Sequence, residues 1–296
     1  RGFCHRLKVV RTPAPVNQLA RKPRAPYPDP VMAKTDLAVY EAGPAKGSPV
    51  VFLHGFPFTS SMWKQQVDAL SESYRCIIYD QRGAGESPVG SGQYTIETLT
   101  DDLEAVLNAK KIKSAYLVGH DLGGYVALRL GQRDPSRLRG LILINSHCYG
   151  DADEQRMWWA TLVRHIEREG MKDFIKQYFP TLFAESSMSQ AGSPYESLRE
   201  RAEQLDPVGA KGAILATMTR TDTRDVIDDA TYPMLFLTGE KDEYARPDLV
   251  LSMGLRTEGA QAARVPDTGH VAPLEHPTFI ANALKRFFSE LDRAGP

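Results

Sequence analysis

The chain has 296 residues, 42% of them hydrophobic, and three cysteines, Cys4, Cys76 and Cys148, at no paired spacing. That length buries one sizeable core or a core with a small accessory subdomain, and the cysteine usage argues against a disulfide scaffold or a zinc site and for a reducing, cytoplasmic setting. The net charge of −1 is uneven: residues 1–34 hold eight of the 36 Lys/Arg and one of the 37 Asp/Glu, which leaves an acidic body that is a poor nucleic-acid ligand, and no run of about 18 apolar residues exists to span a membrane.

Residues 1–31 are basic, with six prolines between Pro13 and Pro30 and almost no apolar periodicity. They are expected to be disordered or non-native, an extension ending near Met32 rather than a targeting segment, because no apolar stretch accompanies the arginines. From Asp36 onward short apolar runs alternate with helical patterns. Strands are expected at Asp36–Glu41, Pro49–Leu53, Arg75–Tyr79, Ser114–Val118, Leu141–Ile144, Pro233–Leu237 and Ala262–Val265. The middle runs, such as Val50-Val51-Phe52-Leu53, do not alternate with polar residues, which suits parallel strands covered on both faces. Helices are expected at Ser60–Ser71, at Thr95–Ala109 with Thr95 as N-cap, at Leu122–Arg133 and at Thr278–Leu291. Strand and helix in repeated order predicts an α/β fold with a mostly parallel sheet and helices on both faces. Residues 149–230 break the rhythm. They read as helices at Glu154–Glu169, Met171–Tyr178, Ser197–Gln204 and Val208–Thr219, a helical lid inserted after the strand near 141–145. Residues 32–148 and 231–296 then form the core domain.

The strongest chemical signal is Gly119-His120-Asp121-Leu122-Gly123-Gly124, between an apolar run and a helical pattern. A G-x-nucleophile-x-G at a strand-to-helix junction is a nucleophile elbow: the sharp turn presents its central side chain at a helix N-terminus, and small neighbours allow the close packing. Here that side chain is Asp121, where Ser is usual. Two partners follow in the order such a site requires. Asp242 lies just beyond Met234–Leu237, and His270 lies between the last strand run and the final helix. His270 is expected to act as general base, with Asp242 fixing its tautomer and balancing its charge. Glu240 and Glu243 are the competitors for the acid role. His54-Gly55-Phe56-Pro57 follows the second run, and the backbone N–H groups of Phe56 and Leu122 are expected to form an oxyanion hole. Phe58, His120, His147, Trp158, Trp159 and Tyr178 are candidates for contact with substrate, each weighed against plain core packing or structural hydrogen bonding. No His/Asp/Glu group has metal-ligand spacing and no dinucleotide fingerprint is present, so neither a metal nor a cofactor is expected.

With these motifs in place, residues 36–291 resemble the α/β-hydrolase fold family, whose D-x-R-G-x-G-x-S loop is matched by Asp80–Ser87. The flanks and the insertion look most like the carboxylesterase and 3-oxoadipate enol-lactonase-like branch. Aspartate at the elbow is instead shared with epoxide hydrolases and haloalkane dehalogenases. The first resemblance implies hydrolysis of small, largely apolar esters or lactones. The second implies attack of Asp121 on an sp³ carbon and an alkyl-enzyme ester, with tyrosines such as Tyr178 or Tyr195 protonating an opening epoxide ring. The halide-holding Trp after the Asp is absent, Leu122 standing there, and no arginine flanks the elbow. A receptor that keeps the cavity and has lost turnover is the third reading. In each, the partner is a small molecule, and the chain acts as a monomer or a homodimer.

Overall fold

The computed structural model describes residues 36–294, so the expectations for residues 1–31 lie outside the described residues. The elements run β1 (Val39–Ala42), β2 (Pro49–Leu53), α1 (Lys64–Leu70), β3 (Arg75–Tyr79), α2 (Ile96–Ala109), β4 (Ala115–His120), α3 (Leu122–Arg133) and β5 (Leu138–Ile144). The helical stretch follows as α4 (Asp153–Tyr178), α5 (Glu185–Ser189), α6 (Tyr195–Glu203), α7 (Pro207–Met218) and α8 (Arg224–Asp228). The chain then returns to the sheet with β6 (Met234–Gly239), α9 (Pro247–Arg256), β7 (Gln261–Val265), α10 (Ala272–Glu275) and α11 (Pro277–Ala294).

The seven strands lie in the order β1-β3-β2-β4-β5-β6-β7. β1 is antiparallel to β3, and every other pair is parallel. The continuous apolar runs now have their physical reason. Side chains alternate across a strand, so Val50 and Phe52 enter one core with Trp63 and Phe288, while Val51 and Leu53 enter the other with Leu103 and Val126. Both faces of β2 are covered and both must be apolar. β5 begins at Leu138, three residues before the apolar run suggests. Arg139 and Gly140 interrupt that run, but the Arg139 guanidinium lies over the Tyr116 ring at 5.1 Å and lets a charged residue end a strand. Thr95 caps α2 as expected, accepting from the backbone N–H of Thr98.

Residues between β5 and β6 carry helices and no strand, and the first two expected helices are one rod bent at Gly170, whose φ of 80° and ψ of 172° are open to glycine alone. α5, α8 and α9 were not expected. The first two are a single turn or so, and α9 has only Val250 and Met253 buried, too few for a periodic signal. The connections after β2, β4, β5, β6 and β7 all emerge at the carboxyl edge of the sheet, where open α/β sheets bind ligands.

Packing at the elbow makes a strong stability prediction. A Cβ on Gly123 would lie 2.2 Å from the Leu53 carbonyl oxygen and 2.5 Å from its carbon, both backbone atoms of β2. Gly123→Ala is therefore expected to cost roughly 3 kcal/mol or more, since the helix cannot retreat without dragging Asp121 from its place. Urea denaturation measures this, and a midpoint equal to that of the parent contradicts it.

Candidate active site

Asp121 sits between β4 and α3 with φ 46° and ψ −117°, a conformation unfavourable for a side chain with a Cβ. The surroundings hold it there. Its N–H donates to the Ile144 carbonyl at 3.3 Å, and its own carbonyl accepts from Gly124 N–H at 2.9 Å, Tyr125 N–H at 3.2 Å and the Ser146 hydroxyl at 3.0 Å. The turn raises the carboxylate from the sheet edge to the start of α3. There, Asp121 Oδ2 accepts from the Phe56 backbone N–H at 3.2 Å. One of the two donors expected to form an oxyanion hole is thus directed at an oxygen of Asp121 itself.

The other oxygen, Oδ1, lies 3.7 Å from His270 Nε2, an ion-pair distance too long for a hydrogen bond. On the opposite side of the ring, Nδ1 is 3.0 Å from both oxygens of Asp242. Asp242 Oδ1 also accepts from Tyr244 N–H at 2.8 Å and Ala245 N–H at 3.0 Å, and Oδ2 accepts from the Asn145 amide at 2.8 Å. This fully paired carboxylate is the one placed against the imidazole. Glu240 instead accepts from the Asp267 N–H at 3.0 Å, and Glu243 stands on the cavity wall.

All three groups are buried, and their charges sustain one another. Burial alone would push His270 down, but the fields of Asp242 and Asp121 raise it to about 10. Burial would raise both carboxyls, but the His270 charge and the hydrogen bonds hold Asp121 and Asp242 below the ordinary carboxylate range. An imidazolium between two carboxylates is the resting state near neutral pH.

A cavity of about 520 Å³ opens onto Asp121 and His270. Trp158, Trp159, Tyr178 and Tyr244 form aromatic wall, and Tyr125, His147, Asp151 and Arg220 form a polar end. His147, Trp158, Trp159 and Tyr178 therefore stand where the sequence placed them as contact candidates. Phe58 and His120, the other contact candidates, do not line this cavity. Phe58 is packed in the core beside Phe179 and His120, with ring separations of 5.7 and 6.2 Å. His120 is fully buried, and its Nε2 donates to the His270 carbonyl at 2.8 Å, so it supports the histidine loop from below. Burial, followed by the nearby His270 charge, lowers it to about 4 and keeps it neutral. Tyr195, the other candidate ring-opening acid, packs against Phe179 and Phe183 away from the cavity.

Four participants escaped the sequence. Asn145, with a positive φ of 50°, bonds Asp242 and the Gly269 carbonyl through its amide and accepts from Ala272 N–H at 3.3 Å. Glu275 accepts from Gly269 N–H at 2.9 Å and Ala184 N–H at 2.8 Å, joining the histidine loop to the segment after α4. Tyr125 and Arg220 lie at the polar end. Of these, only Tyr125 carried a signal, one helical turn beyond Asp121.

Among known proteins, residues 48–277 match the family described as alpha/beta hydrolase fold. The thermophilic esterase from Thermogutta terrifontis superposes with a TM-score of 0.81 at 30% identity, over 86% of this chain and 93% of that one. A 3-oxoadipate enol-lactonase from Acinetobacter baylyi is 27% identical over 214 residues, covering 70% of this chain and 76% of that protein. An epoxide hydrolase from Caballeronia sordidicola is 38% identical over 113 residues, 37% of this chain and 34% of that protein. Several other curated relatives are likewise matched over less than half of their own length, 46% in one case and 39% in another.

Proposed function

Because this chain belongs to the α/β-hydrolase fold family and is a hydrolase, we propose that it opens epoxides through an alkyl-enzyme ester on Asp121. The observation that carries this reading is the 3.2 Å bond from the Phe56 N–H to Asp121 Oδ2. In ester hydrolysis by a serine, such donors wait for the substrate's carbonyl oxygen. Here the Phe56 N–H holds one oxygen of the nucleophile and leaves Oδ1 free to attack an sp³ carbon. The donors become useful as an oxyanion hole in the second step, when the ester carbonyl belongs to Asp121.

Oδ1 attacks a ring carbon, the C–O bond breaks, and the freed oxygen takes a proton from a hydroxyl of the cavity. Esterification removes the Asp121 charge, so His270 loses one of the two carboxylates that hold its proton. That proton passes to the cavity hydroxyl that gave up its own. Neutral His270 then takes a proton from water as the water oxygen attacks Cγ of Asp121, and the oxyanion on Oδ2 is held by Phe56 and Leu122. Collapse expels the alkoxide, which takes the acid proton of Asp121, and the diol leaves. Asp242 keeps the imidazole oriented throughout. A halide leaving group fits the cavity less well, because the Trp159 indole N–H is engaged by Asp151 at 2.9 Å. In this reading the helices between β5 and β6 act as a lid, and Trp158, Trp159 and Tyr178 receive an apolar or aryl substituent.

Ester or lactone hydrolysis is the second reading, supported by the similarity to the Thermogutta esterase and the enol-lactonase. Brief incubation with styrene oxide and with p-nitrophenyl acetate, followed by acid quench and mass spectrometry of the Asp121 peptide, tests both. Diol release with an adduct of the whole epoxide mass is expected. Phenolate release with no reaction toward the epoxide overturns the first reading in favour of the second. Inertness toward both leaves the non-catalytic receptor.

The charges also set a pH dependence. Alkylation requires ionised Asp121, which is held below the ordinary range and stays charged into acid. Water attack requires His270 without its proton, and below the adduct's imidazole pKa that step falls about tenfold per pH unit. Adduct occupancy at steady state is therefore expected to rise as the pH is lowered from about 9 to about 5. Rapid-quench mass spectrometry measures it, and equal occupancy at both ends contradicts the assignment of His270 as base.

A further inference from the structure

We infer that Tyr125, lying beneath the Arg220 guanidinium, is the group that protonates the leaving oxygen, and that the Tyr125–His147–Arg220 wall is the subsite receiving it. This rests on the reading of Asp121 as nucleophile.

Tyr125 is on α3, four residues after Asp121, and so on the same helix face. Helical side chains lean toward the N-terminus, which carries this ring back over the turn that Asp121 begins. The residue is buried and lines the Asp121 cavity, and its hydroxyl has no hydrogen-bond partner among the described residues. The hydroxyl oxygen is reached from the cavity, so a bound molecule can supply its partner.

Its surroundings suit a donor whose oxygen becomes briefly negative. The Arg220 guanidinium carbon is 4.1 Å from the Tyr125 ring centroid. Arg220 is itself held by Asp151, Nη1 donating to Oδ2 at 2.7 Å and Nη2 to Oδ1 at 2.5 Å, with both side chains almost fully buried. A fixed cation over the ring face stabilises a phenolate more than a phenol. Burial raises the Tyr125 pKa, the Arg220 charge opposes that rise, and Asp121, Asp151 and Asp242 add to it. His147 stands edge-on to Tyr125 with ring centroids 5.6 Å apart. Burial, with the Arg220 charge, lowers His147 to about 3, so it is neutral. Its Nε2 faces Arg220 Nη2 at 3.4 Å, so Nε2 accepts and the proton is assigned to Nδ1. The wall therefore presents the Tyr125 hydroxyl beside a neutral imidazole and a cation, which suits an oxygen gaining negative charge.

Tyr178 is the competing donor on the same cavity. Its ring is stacked on Phe174 at 5.1 Å, and among the described residues no cation lies over it. Burial and the nearby Tyr244 and Asp121 all raise its pKa.

The step is a proton transfer coupled to C–O cleavage: the O–H bond of Tyr125 breaks, the new bond forms on the former ring oxygen, and the tyrosinate is reprotonated by His270 before water attacks. The test is the alkylation rate of the full chain with two electrophiles, styrene oxide, whose oxygen needs a proton, and benzyl bromide, whose bromide does not. Tyr125→Phe is expected to slow adduct formation about 100-fold with the epoxide and less than about threefold with the bromide. Replacing Tyr125 by a difluorotyrosine, a stronger acid, is expected to restore the epoxide rate. Equal losses with both electrophiles would make Tyr125 a structural residue and overturn the inference. Retention of the epoxide rate by Tyr125→Phe, with its loss in Tyr178→Phe, would move the role to Tyr178. A parent enzyme that forms no adduct removes the nucleophile reading and this inference together, whereas a parent adduct with an unaffected Tyr125→Phe removes only this one.

Discussion

Asp121→Asn is expected to lower epoxide turnover by about 10⁴-fold or more and to leave the Asp121 peptide unmodified. The substitution keeps the shape of the side chain, and its amide oxygen can still accept from the Phe56 N–H that now bonds Oδ2 at 3.2 Å. What is lost is the nucleophilic lone pair and the negative charge. The second loss has its own signature. His270 is raised to about 10 by Asp242 and Asp121 together, so removing one carboxylate lowers it. NMR titration of the His270 ring reports this independently of turnover. A variant that keeps activity within about tenfold, or an imidazole that titrates unchanged, removes Asp121 from the centre of the chemistry.

His270→Gln separates the two halves of the reaction. Attack by Asp121 Oδ1 does not need the imidazole as a base, so one equivalent of epoxide is expected to be consumed. Water attack does need it, so turnover should then fall by up to about 10⁴-fold. The expected result is a stoichiometric burst and a stable adduct on Asp121, measured by product counting and intact mass. Steady turnover after the burst would show that another group activates water. Failure to form the adduct would show instead that the 3.7 Å ion pair to His270 is required to place the nucleophile.

Much of this centre was visible in the chain because its parts are local. The elbow needs a strand, a tight turn and a helix in immediate succession, and Ala115–Arg133 supplies them with small residues on either side of Asp121. β2, β3 and α3 have the ends that their apolar patterns and breaker residues suggest, because both sheet faces are covered and each break in hydrophobicity is a real exit from the core. Phe56, whose N–H reaches Asp121 Oδ2, was also legible, as a backbone group at a fixed offset from a strand end. What could not be read is what arrives from far along the chain. No arginine flanks the elbow in sequence, yet Arg220, 95 positions beyond Tyr125 by their numbering, covers its ring. Asn145 looks like an ordinary residue at the end of a strand, and only the fold reveals that its amide joins Asp242 to the histidine loop. His120, beside the nucleophile in sequence, points downward because a residue next to a sharp turn faces away from the one it presents, and it ends up under His270.

The attachment of the histidine loop has a mechanical consequence. His270 N–H donates to the Leu182 carbonyl at 2.8 Å, and Glu275 ties Gly269 to Ala184. Gly269 lies so close to residues 182–184 that a Cβ there would meet backbone atoms at 2.7 to 2.8 Å. Any outward swing that carried this stretch away would pull the base off its carboxylates, so admission of a ligand has to proceed without it. The coupling also works in the other direction: on the proposed reaction path, a substituent bound against Tyr178 loads the stretch that follows it, and its fit becomes a determinant of how fast an ester on Asp121 is cleared.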